Sequence, residues 1–217
     1  MTLDLDPDRR LALAYVPAAA RPAIEALWRL DVTLANILAT GSDRTISRIR
    51  LAWWREALER LDEAPAPAEP VLQALAALVL PTVSGAELAE MEEGWAALLS
   101  DEVLTHAELE EHAAARGGRL FAYSARLLGH RDFPVEAGGR LWALADVARH
   151  SSHEEEARAA RALAPVQLSA RWPRALRPLG MLAALAGRDV ERGPGTWERQ
   201  GSPARMLRMI RHRLTGI

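Results

Sequence analysis

Apolar side chains recur at three- and four-residue spacing through almost the whole chain, and that period fixes what it can fold into. Between Ala18 and Leu38, Ile24, Leu27, Leu30, Leu34 and Ile37 form one broad helical stripe, and Gly41 closes the segment. A second helix is predicted from Arg44 to Leu61. The connector 64–70 has three prolines, and an almost wholly apolar helix, Val71–Leu80, follows it and should be central. Ser84-Gly85-Ala86-Glu87 and Thr105-His106-Ala107-Glu108 each have the capping-box spacing, opening helices to Leu99 and to about Leu128. Gly117-Gly118 interrupts the second of these and permits a kink or a close approach. Further helices are predicted over Val135–His150, Arg174–Ala186 and Pro203–Leu214. No alternating β-branched run suggests a sheet, and no fixed-period repeat is present. The expectation is an all-α helical bundle, residues 1–217 forming a single domain.

Composition narrows the chemistry. The 217 residues are 49% hydrophobic, enough for a substantial core. With no cysteine there is no disulfide, thiolate metal site or cysteine nucleophile. No apolar run approaches the roughly 18 residues that span a bilayer. The segment Met1–Asp6 is acidic where a signal peptide is basic, so a cytoplasmic location is expected. No nucleophile elbow, phosphate-binding glycine loop or helix-turn-helix is present, and no nucleic-acid partner is expected.

All 27 basic side chains are arginine, and they are unevenly placed. Residues 1–156 hold 15 arginines against 26 carboxylates, whereas residues 157–217 hold 12 against three. That asymmetry suits an anionic partner for the C-terminal third, or packing of that third against the acidic remainder. In the last helix Met206, Leu207, Met209, Ile210 and Leu214 oppose Arg205, Arg208, Arg211 and Arg213. Docking through the apolar side is the expected outcome, and peripheral membrane contact through this basic helix is the other reading.

The most distinctive string is Arg50-Leu51-Ala52-Trp53-Trp54-Arg55-Glu56-Ala57-Leu58. Tyr15-Val16-Pro17, Arg21-Pro22 and Ala26-Leu27-Trp28-Arg29-Leu30-Asp31 precede it. Arg119-Leu120-Phe121-Ala122-Tyr123, Leu127-Leu128-Gly129 and Gly139-Arg140-Leu141-Trp142 through Arg149 follow. In this order the chain resembles the squalene/phytoene synthase family over roughly residues 10–165, leaving 166–217 as basic C-terminal helices. The resemblance implies an isoprenoid-synthase type of bundle with a large central cavity, here C-terminally shortened. Enzymes of the family join two prenyl diphosphates head to head. Two aspartate-rich motifs on facing helices hold the Mg²⁺ that stabilises the departing diphosphate.

The chain departs from that pattern. Counted from Leu30, the first aspartate-rich stretch falls on Ala35-Asn36-Ile37-Leu38-Ala39, and no acid stands between Asp31 and Asp43. At the second motif Asp146, His150 and Glu154 take the i, i+4, i+8 positions. They are either a divalent-metal site, with the imidazole favouring Zn²⁺ or Mn²⁺, or a solvated stripe. By this resemblance Asp31, Ala35, Asn36, Ala39, Trp53 and Trp54 would line the cavity. Arg48, Arg50 and Arg55 are the candidates for holding a diphosphate. The expectation is a non-catalytic binding or assembly factor with a protein partner or an apolar or prenyl ligand and no cofactor. It is similar to the degenerate branch that acts in respiratory complex I assembly. A Mg²⁺-dependent prenyltransferase is the alternative.

Overall fold

The computed structural model describes residues 4–41, 43–100, 102–164, 171–193 and 197–217. The first three residues of the acidic leader, residues 166–170 of the basic third and Pro194-Gly195 lie outside them. The helices are α1 (Pro7–Ala14), α2 (Arg21–Thr40), α3 (Arg44–Glu59, continued by a 3₁₀ turn, Arg60–Asp62) and α4 (Pro70–Leu78). Then come α5 (Gly85–Ala89), α6 (Met91–Ala96), α7 (His106–His112), a π-helical segment (Ala113–Gly118) and α8 (Arg119–Leu127). The chain ends with α9 (Glu136–His150), α10 (Glu154–Leu163), α11 (Arg177–Arg192) and α12 (Pro203–Thr215). Among the described residues there is no strand, and no helix is long and apolar enough to cross a membrane.

Helix α9 sits at the centre, packed against the π segment, α8, α10 and α11, while α2 packs on α3, α4, α6 and α8. Glycine makes the tightest of these contacts possible. A Cβ on Gly117 would fall 2.1 Å from the Gly139 carbonyl oxygen, and one on Gly139 would fall 2.0 Å from that of Gly117. Two backbones therefore touch where any side chain would hold them apart. Gly117 of the 117–118 pair thus serves close packing, and the segment that contains it is a π turn. On the other side of the core, Trp28 is buried and its indole N–H donates to Ser124 Oγ at 3.1 Å, tying α2 to α8.

Several expectations need correction. The capping box at Ser84 is present, but the helix it opens stops at Ala89 and resumes as α6, so no single helix reaches Leu99. Helix α4 buries Leu72 and Leu75 and leaves Leu78 exposed, so it is a half-buried rather than a central helix. Both α1 and α10 were absent from the periodicity reading. Asp6 accepts from the Asp8 and Arg9 amides and Pro7 opens the first turn, which is how α1 starts. Trp54 is buried in the same core cluster as Leu27 and Leu30, whereas Trp53 is 48% exposed.

The last helix docks only partly through its apolar side. Arg205, Met209 and His212 face inward, and Leu207, Leu214 and Ile217 face out. The reason is electrostatic. Arg205 Nε lies 2.9 Å from Asp8 Oδ2, and its Nη1 lies 2.7 Å from Asp189 Oδ1, so buried charges on α1 and α11 draw the helix in.

Candidate functional site

A cavity of about 710 Å³ opens between α2, α9 and α11, with α1, α6 and the α9–α10 junction around its rim. Part of its lining is apolar, with Val32, Ala35 and Leu38 from α2 and Leu182 and Leu185 from α11. The rest includes polar groups joined by ion pairs.

Its centrepiece is Arg116, a side chain 1% exposed in the π segment. Its Nε donates to Asp31 Oδ1 at 2.9 Å and its Nη1 to Asp146 Oδ2 at 2.7 Å, so one guanidinium joins α2 to α9. Arg9 Nη1 adds a second bond to Asp31 Oδ2 at 2.8 Å. The Arg116 guanidinium also stacks 4.1 Å from the Trp95 ring centroid and 4.5 Å from that of Trp142. Burial disfavours the charge on both aspartates. The Arg116 field overcomes it, with Arg9 for Asp31 and with His150 and Arg9 for Asp146, and holds both carboxyls below the usual range. The same carboxylates raise the Arg116 guanidinium pKa against its own burial.

His112 supports the arrangement from behind. Its Nδ1 lies 2.6 Å from the Gly94 carbonyl oxygen, which only accepts, so Nδ1 carries the proton. Its Nε2 lone pair then faces Arg116 Nη1 at 3.4 Å. Burial, and next the Arg116 charge, push this imidazole down to about 4, so it is neutral at pH 7. A Cβ on Gly94 would fall 2.5 Å from the Arg116 amide nitrogen, so Gly94 lets the π segment lie against α6.

The residues singled out from the sequence fall into two groups. Ala35 lies in the cavity wall, Ala39 at its exposed mouth, and Asp146 and His150 in the facing wall, while Asp31 is buried behind it under Arg116. Asn36, Trp53 and Trp54 do not line the cavity, because the α2 face that does so passes through Val32, Ala35 and Ala39. The amide in the wall is Gln200. Arg48, Arg50 and Arg55 also lie away from it, on α3. Arg48 binds the Leu99 carbonyl, Arg50 is exposed, and Arg55 pairs with Glu59, Glu92 and Glu93.

Nor do Asp146, His150 and Glu154 share a helical face. Helix α9 stops at His150, and Glu154 begins α10, exposed and paired with Arg158 at 3.0 Å. His150 Nδ1 instead lies 3.1 Å from Asp146 Oδ1, which raises the imidazole pKa. Ala35 and Ala39 offer no metal-binding oxygen, and Asp31 and Asp146 are both taken by a guanidinium. Among the described residues no group of three or more His, Cys, Asp or Glu side chains is arranged to hold a metal. The residues present do not fit a Mg²⁺ cluster.

Sequence reading missed Arg9, Arg116, Arg149 and Arg205, the cations of this wall. For Arg116 a signal existed. It stands alone in Ala113-Ala114-Ala115-Arg116-Gly117-Gly118, and small residues on both sides mark a backbone that packs closely around a charge.

The all-α fold with a cavity between helix faces is of the type that the isoprenoid-synthase class adopts. The family model for squalene/phytoene synthase matches residues 4–168, and the chain belongs to that family. No curated protein and no solved structure matches it significantly.

Proposed function

We propose that this squalene/phytoene synthase family member is a non-catalytic binding protein whose cavity holds a ligand without transforming it. The observation that carries the reading is Arg116, which binds both Asp31 of α2 and Asp146 of α9, the second-motif carboxylate, and so occupies the carboxylates a metal would need. Ionising an allylic diphosphate needs positive charge on the departing oxygens. Losing a single oxyanion donor typically costs about 10²–10³ in rate. Here Ala35 and Ala39 remove the metal-positioning set of one helix altogether, and the guanidinium is saturated by its own aspartates.

The test is incubation with radiolabelled farnesyl and geranylgeranyl diphosphate and excess Mg²⁺, followed by product extraction. No head-to-head C30 or C40 product is expected. A metal-dependent product, abolished by Asp146→Ala, overturns the reading in favour of a prenyltransferase.

The role built on such binding is that of an assembly factor, with respiratory complex I as the case to examine. A deletion strain should accumulate complex I subassemblies on native gels, and a normal complex I profile contradicts that role. The exposed Leu207 and Leu214 of α12, with Ile217 just beyond it and Arg211 also exposed, support peripheral contact with an anionic membrane surface. Co-sedimentation with phosphatidylglycerol vesicles, lost in Leu207→Glu/Leu214→Glu, tests this. Equal binding to neutral vesicles argues against it.

A further inference from the structure

We propose that the cavity takes an uncharged, long-chain apolar molecule with no more than a hydroxyl head, of the prenyl-alcohol class, and rejects the corresponding diphosphate. The proposal rests on the non-catalytic reading above and specifies its ligand.

Charge decides between the two. Each arginine of the wall is already committed to carboxylates. Arg9 pairs with Asp6 and Asp31, and Arg116 with Asp31 and Asp146. Arg149 Nη2 lies 2.8 Å from Asp189 Oδ2, and its Nη1 donates to the Glu198 carbonyl. Arg205 pairs with Asp8 and Asp189. The wall then adds Asp4 and Glu156, so carboxylates outnumber guanidinium groups in it. Glu156 is itself satisfied by neutral donors, Ser151 Oγ at 2.6 Å and the Leu104 amide at 3.2 Å. An entering diphosphate meets guanidinium groups that are each already paired, a His150 imidazole held by Asp146, and several carboxylates. Moving such an anion out of water without a partner is strongly unfavourable.

A neutral chain meets the opposite conditions. Val32, Ala35, Leu38, Leu182 and Leu185 supply apolar surface from α2 and α11. The volume of about 710 Å³ lies within the usual 300–1,000 Å³ of small-molecule sites, ample for a prenyl chain. The neutral polar groups of the wall include the Ser152 hydroxyl and the Gln200 amide, while Asp4 and Glu156 add negative charge. The neutral groups suit a single hydroxyl.

The experiment is equilibrium dialysis of the full chain against tritiated farnesol and, separately, tritiated farnesyl diphosphate, each with and without Mg²⁺. Farnesol is expected to bind at least tenfold more tightly, and Mg²⁺ should leave both affinities unchanged. Ala39→Trp, at the exposed mouth, should weaken farnesol at least tenfold while the circular dichroism spectrum stays that of the wild type. Equal or tighter binding of the diphosphate overturns the proposal, as does failure of both ligands to bind. The outcome is separable from that of the turnover assay. Diphosphate binding without product defeats only this inference, whereas product defeats the non-catalytic reading.

Discussion

Arg116 and Asp31 meet side by side, with Nε 2.9 Å from Oδ1 and Nη2 3.3 Å from Oδ2, and neither side chain is more than 1% exposed. This two-point pairing fixes the plane of the guanidinium, so that its remaining edge reaches Asp146 on α9. A π turn, two glycine contacts and two indole faces all serve to place this one cation.

Removing that cation should be costly. Arg116→Met leaves Asp31 buried with only Arg9 beside it, and breaking a buried pair on one side typically costs about 3–5 kcal/mol. Urea unfolding of Arg116→Met should show a loss of that size. Arg116→Met/Asp31→Asn should recover part of it, because the stranded charge is gone. A loss below about 1 kcal/mol, the range of exposed pairs, would mean the pair is solvated.

Acid should weaken the fold in two stages. His112 is held down to about 4 from an unfolded value of 6.5. Below 6.5 the unfolded chain takes up a proton that the folded chain refuses, so stability present above that pH is lost between 6.5 and about 4. At ~1.36 kcal/mol per unit the loss attributable to His112 approaches about 3 kcal/mol. His212, also lowered to about 4 by burial and by Arg208 and Arg177, adds to it in the same window. Asp31 and Asp146 act below their unfolded value of 3.8, where protonating them removes stability that was present above it. Thermal melts of the wild type and of His112→Gln between pH 7.5 and 4.5 check this. The variant should be less stable at pH 7.5 and show a shallower decline, and parallel curves contradict the assignment.

The two adjacent indoles should respond very differently to truncation. Trp54 is 8% exposed and Trp53 is 48% exposed, with their rings edge to face at 5.4 Å. Trp54→Ala should cost about 3–5 kcal/mol by opening a core cavity. Trp53→Ala loses chiefly the ring contact, worth about 1 kcal/mol. Chemical denaturation midpoints measure both, and equal losses would show that Trp53 is buried in solution.

Helices were legible wherever an apolar stripe was long, as in α2, α3, α9 and α12. They were missed where charge rather than hydrophobicity builds them. Helix α1 buries Asp8 and Arg9, and α10 opens with three glutamates. The same gap explains α12, where Met209 of the apolar set faces inward as its pattern predicts but Arg205 turns inward with it and leaves Leu207 and Leu214 exposed. In the site, Ala35 and Ala39 were placed by counting along one motif. Asn36, Trp53 and Trp54 were not, because a shared motif fixes position along a helix but not which side faces the cavity. The arginines could not be paired from the sequence at all. Arg116 and Asp31 stand 85 residues apart, and only the fold brings them together.

Manganese titration followed by electron paramagnetic resonance tests most directly whether Arg116 stands in for a metal cluster. With its two aspartates bound to a guanidinium, the wild-type protein should leave the signal of free Mn²⁺ undiminished at equimolar concentrations in the tens of micromolar range. A stoichiometric loss of that signal, abolished by Asp146→Asn, would show that the carboxylates remain open to metal and would contradict the account.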